Sequence, residues 1–143
     1  MSHIETVSVV IKDLESLKKA CQVLGVNWKE GQKAYAWYGR SVGDYPIPHG
    51  FKQADLGKCD HVISVTGVGY EVGVVRTPDG SGYTLLYDFY GPGHGLLQKF
   101  GKGLVNLVDR YTAETLKKQA RMRGYSCKET IKDGKIHLTA TQA

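Results

Sequence analysis

Tyr70-Glu71-Val72-Gly73-Val74-Val75-Arg76, Thr77-Pro78-Asp79-Gly80-Ser81-Gly82 and Tyr83-Thr84-Leu85-Leu86-Tyr87-Asp88-Phe89-Tyr90 form the stretch whose reading decides the fold. Two apolar, strand-forming runs flank a segment built of turn residues, which predicts an antiparallel pair over Tyr70–Arg76 and Tyr83–Tyr90. Gly91-Pro92-Gly93-His94-Gly95 follows, and then Leu96, Leu97, Phe100, Leu104, Leu107, Val108 and Tyr111 recur at helical spacing. A glycine-rich loop feeding a helix start offers free backbone N–H groups at the positive end of a helix dipole. It reads either as an anion site or as a plain strand-to-helix connection.

Upstream, Cys59–Thr66 adds a strand to this meander through the turn Gly67-Val68-Gly69. Gly39–Lys58 breaks all periodicity, and loops of that length are functional or disordered. Its Arg40, His49 and Lys52 are candidates to reach an anion across the sheet edge, with Tyr45, Ile47 and Phe51 available to pin the loop down. Val26–Glu30 and Lys33–Tyr38 about Gly31 read as a hairpin or bent strand pair. Tyr35 and Trp37 alternate there with Ala34 and Ala36, a ring-rich face that covers a helix or stacks a planar ligand. The chain opens with a strand over Ile4–Ile11 and an amphipathic helix: Asp13 is its N-cap, Leu14, Leu17, Cys21 and Leu24 its stripe, and Gly25 its terminator.

Downstream, the helical pattern continues to Arg123 with Gly124 as stop, weakened by Gly101 and Gly103 and with Thr112 as a candidate break. Tyr125–Ile131 and Lys135–Thr141 then flank Asp133-Gly134, a strong hairpin signal. The order predicts one α+β domain over residues 1–143: a mostly antiparallel sheet of about six to seven strands, with two helices packed on one face.

Composition narrows the classes. With 143 residues and 41% hydrophobic content the chain is long enough and apolar enough for a packed core, which excludes a disordered protein. Its net charge of +5 favours anionic partners. The densest cations, Lys117, Lys118, Arg121 and Arg123, sit on a helix tail and read as a solvated face, so nucleic acid ranks low as a partner. Nine tyrosines against three phenylalanines tilt toward a half-wet binding surface. Cys21, Cys59 and Cys127 are odd in number and far apart, so they read as small apolar residues in a reducing compartment rather than as disulfides or a metal site. No leader pattern and no apolar run of the ~18 residues a span requires is visible, and the expectation is a soluble cytoplasmic protein.

Catalytic signatures fail on inspection. Gly95 to Gly101-Lys102-Gly103 imitates a phosphate-binding P-loop, but has one residue too many and a glycine where the magnesium-binding Ser or Thr belongs. The five histidines are scattered, and only His49 and His94 lie in glycine-flanked loops where a contact to ligand is exposed. Asp88, closing a buried strand, reads as a cap for the following turn or as a functional carboxylate. No catalytic residue, metal site or cofactor is predicted.

Several short motifs carry a resemblance. Met1-Ser2-His3, Ile11-Lys12-Asp13 with Leu17, Tyr70-Glu71-Val72-Gly73, Asp88-Phe89-Tyr90-Gly91 and Arg110-Tyr111 resemble the domain-of-unknown-function family 1257, whose members occur in cyanobacteria, red-algal plastids, other bacteria and some phages. This chain departs from that pattern in Gly39–Lys58 and Gly91–Gly103, both longer and richer in glycine. The resemblance supplies no catalytic residues. It implies an accessory role, because bacterial relatives often neighbour genes for an AAA-type ATPase.

The sequence therefore predicts a non-enzymatic binding protein for a small anionic, nucleotide-like ligand; a phage protein that sequesters a nucleotide immune signal is one concrete form. Candidate ligand-binding residues are Arg40, His49, Lys52, Trp37, Tyr90, His94, Lys99 and Lys102. The competing reading is an accessory protein that docks on a larger protein such as an ATPase. A homodimer or higher oligomer formed through an edge strand is expected with either.

Overall fold

A computed structural model describes residues 3–7, 9–39 and 45–142. Among the described residues seven strands and three α-helices follow one another: β1 (Ile4–Thr6), α1 (Leu14–Leu24), β2 (Asn27–Lys29), β3 (His61–Ser64), β4 (Val72–Arg76), β5 (Tyr83–Asp88), α2 (His94–Phe100), α3 (Val105–Met122), β6 (Tyr125–Lys132) and β7 (Lys135–Gln142). The fold is α+β. Its main sheet has five strands in the order β1-β5-β4-β3-β2, antiparallel throughout. The last two strands form a separate two-stranded ribbon rather than extending that sheet.

Period-two alternation sorts the side chains of the sheet. Ile63, Val72, Val74, Leu85 and Tyr87 face the helices and pack with Leu17, Ala20 and Cys21 of α1, Leu96 and Phe100 of α2, and Leu107 and Tyr111 of α3. Val62 and Leu86 point the other way, into a second cluster with Ile4, Tyr35, Leu56 and Cys59. All helices therefore sit on one face, and the segment between β2 and β3 covers the other.

That segment is where the sequence pattern misleads most. Lys33–Tyr38 alternates like a strand, yet β2 pairs with β3, and only Ala34 makes an isolated bridge, to Lys58. The run crosses over the sheet because its rings need receptacles. Tyr35 lies on Gly73 of β4 and Trp37 lies on Gly57, each so close that a Cβ at the glycine would overlap the ring. Tyr45, Ile47 and Phe51 pack into the same cluster, so the described part of the long loop is a cover over the sheet.

The helices follow their caps. Asp13 accepts from the Ser16 amide at 3.2 Å and Gly25 closes α1 in the left-handed region at φ 72°. The second helical pattern splits into α2 and α3, because Gly101 and Gly103 adopt φ of 82° and 68° and Leu104 follows at 54°. Thr112 causes no break: its hydroxyl donates to the Val108 carbonyl and α3 runs on to Met122. Tyr111 ties the two long helices together, its hydroxyl accepting from the Lys12 and Asp13 amides at 3.0 and 3.2 Å.

Candidate functional site

The glycine-rich connection after β5 is closely packed. A Cβ on Gly93 would fall on the Asp88 carbonyl oxygen, and one on Gly95 would stand 2.7 Å from Val68. The Gly93 amide is taken by the Tyr90 carbonyl at 3.1 Å. These glycines let α2 press against the end of the sheet, which accounts for them without an anion. Asp88 is fully buried and accepts three backbone N–H groups: Tyr90 and His3 at Oδ1, both at 3.0 Å, and Tyr38 at Oδ2, at 3.2 Å. Its carboxylate caps the following turn and fastens three chain segments at one point.

The predicted ligand residues scatter about this arrangement. Tyr90 is exposed beside His3, its amide on the Asp88 carboxylate, whereas the Trp37 ring lies on Gly57; it is the amide of the next residue, Tyr38, that reaches Asp88. His94 opens α2, Lys99 lies in its last turn and Lys102 in the tight turn before α3, all exposed. His49 is exposed beside β1, in a shallow depression that it shares with Tyr45, Ile47 and Glu5. The Lys52 amide donates to Asp55 at 2.8 Å, and neighbouring Gly50 rests on Pro78. Lys52 thus lies at the Arg76–Tyr83 end of the sheet, opposite the end that holds Asp88 and Tyr90. Arg40 lies outside the described residues. Of the predicted residues, Tyr90 and His94 lie close together only because a single short turn separates them; Trp37 and Lys52 lie elsewhere.

A different surface gathers charge. Register in the C-terminal ribbon pairs Ser126 with Thr141, Lys128 with Thr139, Thr130 with His137 and Lys132 with Lys135. These eight side chains share one face and all are exposed. That face carries three lysines, one histidine, four hydroxyls and no carboxylate. Among the described residues none of the three lysines has a carboxylate partner; Lys18, Lys29, Lys33, Lys117 and Lys118 are ion-paired, while Lys12, Lys19, Lys52, Lys58, Lys99 and Lys102 are not, so what sets the ribbon apart is three such lysines on one face. The signal was present in the sequence as alternation: every second residue from Ser126 to Lys132 and from Lys135 to Thr141 is polar and non-acidic. It was hidden because Glu129 and Asp133 intervene in the chain; once paired, Glu129 turns inward and Asp133 occupies the turn.

The opposite face of the ribbon is anchored. Cys127, Ile136 and Leu138 turn toward α3, and Glu129 accepts from both terminal nitrogens of Arg110, at 2.7 and 3.2 Å. Glu114 and Lys117 complete the network, at 3.1 Å from Arg110 and 3.2 Å from Glu129 respectively. Arg110 holds Glu129 below the usual carboxylate range. The cationic face is thereby presented outward from α3.

Among the described residues no group of three or more His, Cys, Asp or Glu side chains is placed to hold a metal ion, and no helix is long and apolar enough to cross a membrane. Compared with models of protein families, with curated proteins and with solved structures, the chain finds no significant match, so the resemblance to the domain-of-unknown-function family 1257 rests on its short motifs alone.

Proposed function

We propose that the protein is a non-enzymatic binding module for an anionic partner, which it takes on an exposed surface and not in an enclosed pocket. The observation that carries this reading is the outward face of β6 and β7, where Lys128, Lys132 and Lys135 stand without acidic neighbours on the same face. Exposed, unpaired cations on paired strands raise the local potential without an entropic cost of ordering a loop. Retention on phosphocellulose tests it. Wild-type protein is expected to elute at clearly higher salt than the Lys128→Gln/Lys132→Gln/Lys135→Gln variant, and equal elution would overturn the reading.

A second reading, a nucleotide-sized ligand at the Asp88 end of the sheet, is favoured by the exposed rings of Tyr38 and Tyr90, whose amides meet on one carboxylate. A thermal-shift screen against mono-, di- and cyclic nucleotides separates the two. A rise in Tm abolished by Tyr90→Ala supports this second site, and a flat screen removes it.

A further inference from the structure

We infer that the partner of the C-terminal ribbon is B-form DNA, with the outward face of β6 and β7 seated in the major groove. This rests on the reading of that ribbon as the anion-binding surface and narrows it to one chemistry. Three observations favour a duplex over an acidic protein. The first is composition: the face holds only Lys128, Lys132, Lys135, His137, Ser126, Thr130, Thr139 and Thr141. Protein interfaces concentrate aromatic residues, Met and Arg at their centre and are depleted in Lys and Ser. Lysines and hydroxyls are instead the usual donors to phosphates and base edges.

The second is shape. Two strands of eight residues, paired along their whole length, make a ribbon roughly 25 Å long with backbones about 5 Å apart. A two-stranded antiparallel ribbon is one of the elements that the major groove, about 12 Å wide, admits. A-form RNA has a major groove too narrow to read, which selects DNA. The third is placement. The ribbon leans on α3 alone among the helices and strands, apart from a few weaker contacts, so nothing of the main sheet lies over its outer face. Within that face the lysines lie toward the turn end and flank Thr130 and His137. Cations there would reach phosphates on both sides of the groove, and the hydroxyls between them would meet base edges.

The test is fluorescence anisotropy with a labelled DNA duplex of about two helical turns, at several salt concentrations, with polyglutamate as a parallel probe. Wild-type protein is expected to bind the duplex. Its log–log salt slope should fall by about three in the Lys128→Gln/Lys132→Gln/Lys135→Gln variant, near one unit per lost phosphate contact. A matched variant, Lys12→Gln/Lys19→Gln/Lys58→Gln, removes the same charge elsewhere and should retain most of the affinity. Equal losses in both variants would overturn the assignment to the ribbon. Binding of polyglutamate but not of duplex, lost in the ribbon variant, would overturn the DNA inference and leave the anionic-surface reading standing. Failure to bind either polymer would overturn both. Double-stranded RNA competing as well as DNA would overturn the groove assignment.

Discussion

Arg110 of α3 and Glu129 of β6 meet side by side, with two guanidinium nitrogens donating to the two carboxylate oxygens at 2.7 and 3.2 Å. Arg110 is buried, so removing Glu129 strips one of two counter-charges from a desolvated cation. Glu129→Gln should lower the unfolding free energy by about 2 kcal/mol. A double-mutant cycle with Arg110→Ala should return a coupling of about 1–3 kcal/mol by urea denaturation. Additive effects would show that the pair does not hold the ribbon.

The same pair sets an acid limit. Glu129 is held below its ordinary value by Arg110, and Asp79 is brought to about 2 by the Ser81 amide and hydroxyl and the Thr77 hydroxyl. Groups depressed in this way bind fewer protons folded than unfolded, so their contribution is complete above the unfolded carboxyl value of about 4. It is lost as pH falls through the folded values. From these carboxylates stability should be flat between about pH 5 and pH 8 and decline toward pH 2. Glu129→Gln should reduce that slope in a series of denaturant melts.

Asp88 offers a sharper substitution. Asp88→Ala leaves three backbone N–H groups without their common acceptor inside the protein and should cost about 3–5 kcal/mol. Asp88→Asn keeps one carbonyl oxygen, so it should retain the Oδ1 bonds and cost less. The order of the two melting temperatures checks this.

Two glycines should resist even a methyl group. Gly93→Ala drives a Cβ into the Asp88 carbonyl, which is backbone and cannot swing aside; Gly73→Ala drives one into the Tyr35 ring. Each is expected to lose about 2–4 kcal/mol. Gly31→Ala, with open space around it but a φ of 73°, should lose only the strain of the left-handed conformation, about 1 kcal/mol. Equal losses at Gly31 and Gly73 would contradict the packing seen here.

Much of this fold is written in local pattern. Asp13 and Gly25 mark the ends of α1, Asp133-Gly134 marks the ribbon turn, and the alternation in β4 and β5 distinguishes the helix side from the loop side. What is not local was not legible. Lys33–Tyr38 has the alternation of a strand, but its course depends on Gly57 and Gly73, residues far along the chain that leave room for two rings. The split between α2 and α3 was foreshadowed by Gly101 and Gly103, though the left-handed Leu104 was not, since burial of its side chain overrides its backbone preference. The cationic face was missed for the same reason: a charge count along the chain averages over inward Glu129 and the turn residue Asp133, while pairing separates them.

The ribbon leans on α3 with one face and leaves Ser126, Lys128, Thr130, Lys132, Lys135, His137, Thr139 and Thr141 out of every core contact. Substitutions at those positions cost little stability, because surface changes away from packed features usually stay within about 0.5 kcal/mol. The molecule thus divides its sequence into two independent inheritances. One, the core clusters together with the inward ribbon residues Cys127, Glu129, Ile136 and Leu138, answers to the demands of folding. The other, eight outward letters on a two-stranded ribbon, can be rewritten for a new partner while the body that carries it stays the same.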